Sequence, residues 1–130
     1  MGKRYLIDSN AIIDYFGELM PDNGLALMDA IINSGGIILS VITHIEVLGF
    51  QAPADYLRKI QNLIDVAEII PLVDSASIER AILVRRETRI KLPDAVIAAT
   101  ALVRNLTVVS RNGKDFGRVE GLKYVNPHTL

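Results

Sequence analysis

Residues 4–16, RYLIDSNAIIDYF, combine a short strand pattern with the beginning of a helix. The run RYLID (4–8) is typical of a buried strand, and Ser9 can cap a helix that continues through NAIIDYF. An acid, Asp8, stands where the strand meets the helix. The stretch therefore predicts a βα unit with a carboxylate at the carboxyl end of its strand.

The rest of the chain repeats this alternation of strand and helix patterns. Apolar runs predict further strands at 37–42, 67–73, 106–110 and 122–126. Helical spacing appears at 25–34, 53–66, 77–90 and 92–105, with a short helix between Thr43 as its cap and Gly49, and a turn-rich loop at 111–117. Such alternation predicts an α/β fold, a parallel sheet of about five strands with helices on both faces. We expect residues 1–130 to form one domain.

Four acids follow these strands or begin these helices, namely Asp8, Glu46, Asp94 and Asp115. In parallel sheets, ligands bind outside the carboxyl ends of the strands, and the four acids can share that edge. Converging carboxylates repel by roughly 4 kcal/mol per close pair at an effective dielectric constant of about 20. Hard oxygen ligands of this kind suit Mg²⁺ or Mn²⁺. Individually, each acid also fits a structural role as a cap, helix-surface or turn residue, so the set carries the prediction.

Composition narrows the function classes. The net charge of −1 is unlike that of most nucleic-acid-binding domains. However, 15 acidic residues minus these four leave 11 against 14 basic residues, a remainder of +3 around an acidic centre. Lys91, Arg111 and Lys114 are the basic residues nearest in sequence to the acids. Few aromatic residues and no Trp argue against a platform that stacks bases.

The chain has no cysteine, so a thiolate metal site is excluded and zinc would depend on His44 and His128. The N-terminus reaches an acid after three apolar residues, unlike a secretory leader. The longest uncharged apolar stretch, at 30–43, is interrupted by polar residues and glycines and is too short to cross a bilayer. We expect a cytoplasmic protein without a membrane partner.

The order of the motifs resembles the PIN-domain ribonucleases, in particular the small VapC-like toxins of toxin–antitoxin modules. The matching segments are YLIDSNAIIDYF, SVITHIEVLG, LPDAVIAATAL and VVSRNGKDF. The resemblance implies that Asp8, Glu46, Asp94 and Asp115 form the catalytic, metal-binding set. It further implies that Asn10, Ser110 and Asn112 are supporting polar residues. The segment 51–65 matches nothing specific in the family.

The resemblance also implies an activity and partners. The implied activity is metal-dependent hydrolysis of RNA phosphodiester bonds with Mg²⁺, for which Mn²⁺ can substitute. The implied partners are an RNA substrate, a protein antitoxin and a second copy of the chain in a homodimer. A PIN-like nuclease with an RNA-processing role outside a toxin–antitoxin pair remains an alternative.

Other classes fit the sequence less well. An aspartyl phosphotransferase usually needs a second acid two positions after the first, where this chain has Asn10. A phospho-receiver domain needs an acidic pair and a lysine that Lys114 matches only faintly. The glycine fingerprint of a dinucleotide-binding domain is absent. A non-catalytic α/β interaction module stays open, and magnesium binding distinguishes it from a nuclease.

Overall fold

The computed structural model describes residues 3–130, which form five short strands and seven helices. The strands are β1 (Tyr5–Ile7), β2 (Ile38–Ser40), β3 (Glu68–Ile70), β4 (Thr107–Val109) and β5 (Tyr124–Val125). The helices are α1 (Ser9–Phe16), α2 (Asp22–Asn33), α3 (Val41–Leu48), α4 (Ala54–Val66), α5 (Ser75–Thr88), α6 (Leu92–Arg104) and α7 (Gly113–Phe116).

The strands make one parallel sheet in the order β3-β2-β1-β4-β5. Strand β1 lies at the centre, where Leu6 is in register with Ile38 on one side and with Val108 on the other. The strand order reverses at β1, because the chain runs outward to β3 and then returns to β4 on its other side. This reversal creates a crevice at the carboxyl ends of β1 and its neighbours, where such sheets bind ligands.

Helices cover both faces of the sheet, as the sequence predicts. Successive side chains of a strand point to opposite faces. Leu6 and Val108 accordingly belong to a core completed by α5 and α6. Ile7 and Val109 belong to a second core with the helices that precede β3. Each fully buried Leu, Ile or Val contributes about 1.5–3 kcal/mol of hydrophobic free energy. The two cores therefore stabilise the sheet from both faces.

Helix α6 is buried almost all round, because every residue from Ala95 to Ala101 is inaccessible. It packs between α5 and the sheet and delivers Asp94, in its first turn, to the carboxyl edge. Among the helices of residues 3–130, none has the length and hydrophobicity needed to span a bilayer.

Two helix starts differ from the sequence expectation. Asp8, rather than Ser9, is the N-cap of α1, since its carboxylate accepts a hydrogen bond from the Ser9 amide. Ser40, rather than Thr43, caps α3, so β2 ends two residues earlier than predicted. Glu46 therefore lies in the second turn of α3 instead of the first. Asp8 is the residue after β1 and Ser40 is the last residue of β2, so the connection between strand and helix is one residue long in the first case and absent in the second.

The predicted loop at 111–117 contains one helical turn, α7, which carries Asp115 in its first turn. Phe116 at its end is fully buried in the core beneath α6. Burial of this one aromatic ring fixes the turn against the domain. The acid before it is thereby placed near the edge of the sheet.

Candidate functional site

Asp8 is the most buried of the four predicted acids, with only 5% of its surface exposed. It follows β1 at the centre of the sheet and its backbone N–H donates to the carbonyl of Val109 in the next strand. The Oδ1 atom accepts from the Ser9 amide at 2.8 Å. The Oδ2 atom accepts from Ser110 Oγ at 2.8 Å and from Asn10 Nδ2 at 3.1 Å. Both carboxylate oxygens are thus oriented by the surrounding chain.

Ser110 is completely buried and joins the loops that follow β1 and β4. Its hydroxyl donates to Asp8, while its oxygen accepts from Asn10 Nδ2 and from the Asn112 amide, each at 3.0 Å. Ser110 and these two asparagines are the three predicted supporting residues. A single buried hydroxyl therefore ties three predicted site residues into one network.

Glu46 reaches the site from α3. Its Oε1 atom accepts a hydrogen bond from Ser9 Oγ at 2.6 Å, so the residue next to Asp8 orients it. Glu46 is exposed, and its carboxylate can therefore adjust to a ligand more easily than that of Asp8. Ser9 was expected to cap α1; the structure instead shows that it links two of the predicted acids.

Asp94 and Asp115 are joined through one amide. Asn112 Nδ2 donates to Asp94 Oδ2 at 3.1 Å and to Asp115 Oδ2 at 3.2 Å. Both carboxylates are therefore within hydrogen-bond distance of one amide nitrogen. The other oxygen of Asp115 lies 3.8 Å from Arg118 Nη1, one turn further along the chain.

The charges of these acids act on one another. Burial raises the pKa of Asp8 to about 6, and the charges of Asp94 and Glu46 add to the rise, while hydrogen bonds from Ser110 and Ser9 oppose it. Burial also raises the pKa of Asp94, followed by the charges of Asp115 and Glu46, against a smaller opposing effect of Lys91. Asp94 thus interacts unfavourably with each of the other three acids, and a bound cation would relieve this repulsion.

Three of the acids, Asp8, Glu46 and Asp94, line an open cleft of about 430 Å³ together with Ser9, Asn10, Ile13 and Arg111. Across residues 3–130, no three Asp, Glu or His side chains form a preformed cage for an ion. The acids are nevertheless linked electrostatically, and Mg²⁺ usually keeps several waters while binding one or two carboxylates. The donor set fits a hydrated divalent cation better than a fully dehydrated one.

Beside the cleft lies a cluster that no sequence pattern predicts, formed by Asp14, Arg111 and His128. Asp14 on α1 is 1% exposed. Arg111 Nη1 lies 2.9 and 2.8 Å from its two oxygens, and His128 Nε2 lies 2.9 Å from Oδ2. Nothing in the run IIDYF marks Asp14 as buried, because helical periodicity alone does not show that the chain end folds back over this face.

Comparisons with known proteins agree with the fold. The model of the PIN domain family matches residues 5–122. A chain of a toxin–antitoxin complex from Klebsiella pneumoniae is 27% identical with a TM-score of 0.70, and the match covers 97% of this chain and 99% of that one. No curated protein has a significantly similar sequence.

Two further solved structures share the fold at lower identity. VapBC2 from Rickettsia felis, bound to a DNA fragment from its promoter, is 21% identical with a TM-score of 0.78, covering 94% of this chain and 97% of that one. FitAcB from Neisseria gonorrhoeae is 23% identical with a TM-score of 0.77, covering 97% and 99%. The resemblance recognised in the sequence is thus confirmed at the level of family and fold.

Proposed function

Because the chain belongs to the PIN-domain family, we propose that it is a metal-dependent endoribonuclease that hydrolyses RNA phosphodiester bonds as the toxin of a toxin–antitoxin module. One observation carries the proposal. Three of the four acids expected from the family line one cleft at the carboxyl edge of the sheet, and Asn112 ties the fourth to Asp94. Ser9, Asn10, Ser110 and Asn112 donate hydrogen bonds to these carboxylates.

The site residues have two roles, metal binding and support of the metal-binding carboxylates. Asp8, Glu46, Asp94 and Asp115 would together hold Mg²⁺ or Mn²⁺. A bound cation supplies an activated water and neutralises charge on the phosphoryl oxygens. The carboxylates are held in place by hydrogen bonds: Asn10 and Ser110 donate to Asp8, and Asn112 donates to Asp94. No histidine is needed as a base.

Partners follow from similarity and from exposed apolar surface. The Klebsiella pneumoniae relative belongs to a toxin–antitoxin complex, which supports a protein antitoxin for this chain. Action on RNA in the cytoplasm is part of the same proposal and follows from the resemblance to VapC-like toxins. Exposed Ile78, Ile82 and Leu92 on α5 and α6 border an apolar groove. Contiguous apolar surface of this kind marks protein interfaces, so it supports the proposal that the chain has protein partners, an antitoxin and a second copy in a homodimer.

Cleavage of RNA by the purified protein tests the activity. Mg²⁺ or Mn²⁺ should support cleavage of a mixed single-stranded RNA, and EDTA should stop it. Asp94→Asn should lose activity by about a hundredfold or more, because a lost charge-stabilising group in an active site costs about 3 kcal/mol. Asp65→Asn is a matched control, since Asp65 is an exposed acid at the end of α4.

The outcomes separate the alternatives. Cleavage that persists in excess chelator and in Asp94→Asn contradicts the metal mechanism. Absence of cleavage together with absence of Mn²⁺ binding by calorimetry favours the non-catalytic interaction module. Cleavage without a small antitoxin encoded beside the gene favours the RNA-processing alternative.

A further inference from the structure

Asp14 is a buried acid for which the proposed metal site has no use. Its side chain is 2% exposed, and the atoms that contact its oxygens belong to Arg111 and His128. A buried carboxylate is costly without charged or hydrogen-bonding partners. His128 Nε2 faces an acceptor and therefore donates to it. Asp14 is thus fully engaged by these two side chains and is not available as a ligand for a cation.

Arg111 is placed differently from the other basic residues near the acids. Its side chain is 55% exposed and lines the cleft with Asp8, Glu46 and Asp94. Both Asp14 oxygens lie against the same guanidinium nitrogen, Nη1. Within residues 3–130, Nε and Nη2 make no hydrogen bond to the protein. The negative partner is therefore buried, while Nε and Nη2 of Arg111, a residue that lines the cleft, have no hydrogen-bond partner among the described residues.

The backbone of Arg111 is fixed as well. Its N–H donates to Asn10 Oδ1 at 3.1 Å, and its carbonyl accepts from Asn126 Nδ2 at 3.4 Å. Asn10 also donates to Asp8. One network therefore sets the position of the guanidinium relative to the predicted metal-binding carboxylate. By contrast, Lys91 and Lys114 are exposed, and no ion pair within the described part of the chain holds them.

The chain end completes the arrangement. Asn126 Oδ1 accepts from the His128 amide at 2.9 Å, and Asn23 on α2 donates to the carbonyl of Leu130 at 3.0 Å. Pro127 packs against Gly24, where a Cβ atom would lie 2.1 Å from the proline carbonyl oxygen. This close packing holds His128 against Asp14. The last residues are therefore part of the support of Arg111.

An acidic cleft needs a cation to admit a polyanion, and a guanidinium binds phosphate oxygens through two parallel hydrogen bonds. We propose that Arg111 binds a phosphate of the RNA substrate beside the acidic cleft, and that Asp14 and His128 are positioning residues that hold its guanidinium there. The inference rests on the proposed ribonuclease function. It adds a specific contact between the chain and its substrate.

Binding of a labelled single-stranded RNA of mixed sequence tests the proposal. The Asp94→Asn background with Mg²⁺ present prevents cleavage during the measurement. Arg111→Gln should weaken binding about tenfold, the loss typical of a charge-assisted hydrogen bond. It should also lower the slope of log affinity against log salt by about 0.7, the value for one phosphate contact on a single strand. Arg4→Gln is the matched control, since Arg4 pairs with exposed Glu68 at the opposite end of the strands.

Positioning is tested by a double-mutant cycle. Asp14→Asn and His128→Ala should each weaken RNA binding several-fold when Arg111 is present and have no further effect in Arg111→Gln. Arg111→Lys should recover most of the salt slope but not the full affinity, because lysine lacks the fork of donors. With Asp94 restored, Arg111→Gln should raise KM more than it lowers kcat. Each variant is compared below its own melting temperature.

Two results would overturn the inference. The first is an Arg111→Gln protein whose RNA affinity and salt slope equal those of Arg4→Gln, which would make Arg111 only the structural partner of Asp14. The second is additive losses from Asp14→Asn and Arg111→Gln, which would remove the positioning role. If either result is found while the wild-type protein cleaves RNA, the proposed ribonuclease function still holds. If the wild-type protein neither binds nor cleaves RNA, the ribonuclease function is refuted.

Discussion

Replacing Asp8 by Asn separates a functional acid from a structural one by the sign of the stability change. Asp8 is buried, and its folded-state pKa is about 6 against an ordinary value of 3.8. The folded protein therefore binds a proton more tightly than the unfolded chain between these two values. Stability contributed by the neutral form is present below about pH 4, falls as the pH rises through this window, and stays low above pH 6.

The size of the effect follows from the same shift. At about 1.36 kcal/mol per pKa unit, the gap amounts to about 3 kcal/mol of destabilisation by ionised Asp8 at neutral pH. Asparagine removes this cost but also disturbs the network. Its oxygen can keep the Ser9 amide and hence the cap, whereas its amide nitrogen meets two donors, on Asn10 and Ser110. That mismatch costs about 1–2 kcal/mol.

We therefore expect Asp8→Asn to be more stable than wild type by about 1–2 kcal/mol at pH 7.5 in EDTA, a rise of about 3–8 °C in Tm for a domain of this size. The advantage should shrink and reverse towards pH 4, where the wild-type carboxyl is also neutral. Thermal and urea unfolding followed by circular dichroism across this pH range measure both effects. Asp65→Asn, which removes an exposed acid hydrogen-bonded by Gln61, serves as the control.

Metal addition supplies the second half of this test. A cation at about 100 times its Kd stabilises the wild type by about 2.7 kcal/mol through linkage, and Asp8→Asn much less. The reasoning is refuted if Asp8→Asn melts clearly below wild type at pH 7.5 in EDTA and gains as much from Mg²⁺. Asp8 would then be a structural residue. A stability difference that does not change with pH would refute the assigned origin of the effect.

Two further predictions concern the chain end and the cell. Gly24→Ala should destabilise the domain by about 1–3 kcal/mol in urea unfolding by overpacking against the Pro127 carbonyl, although alanine is usually favoured in a helix. Gly36→Ala should change the stability little, because its Cβ atom would meet only the Ser34 hydroxyl, at 3.2 Å. Expression of the wild type alone should arrest bacterial growth and Asp8→Ala should not, measured at equal soluble protein; an equally toxic Asp8→Ala would contradict the toxin assignment.

The sequence predicts the sheet well because its signals are local. Apolar runs that end at Asp8, Ser40 and Ser110 mark three of the strands, and Pro21, Pro53 and Pro93 stand at the starts of helices. Such signals also place Asp8 and Asp94 at strand and helix ends that parallel topology brings to one edge. The helix caps were less predictable. Asp8 and Ser9 are both good cap residues, and the choice depends on tertiary contacts, since Ser9 is occupied by Glu46.

The cluster around Asp14 shows where local signals stop. Arg111 and Asp14 are 97 positions apart, and His128 lies 114 positions from Asp14. No short stretch of sequence therefore contains Asp14 together with either of its partners. Their meeting depends on the reversal of strand order at β1 and on the return of the chain end over α1. Residues that chemistry requires at strand ends can be read from the sequence, because topology delivers them there. Residues that support them from a distance depend on how the final segment packs, which only the assembled fold determines.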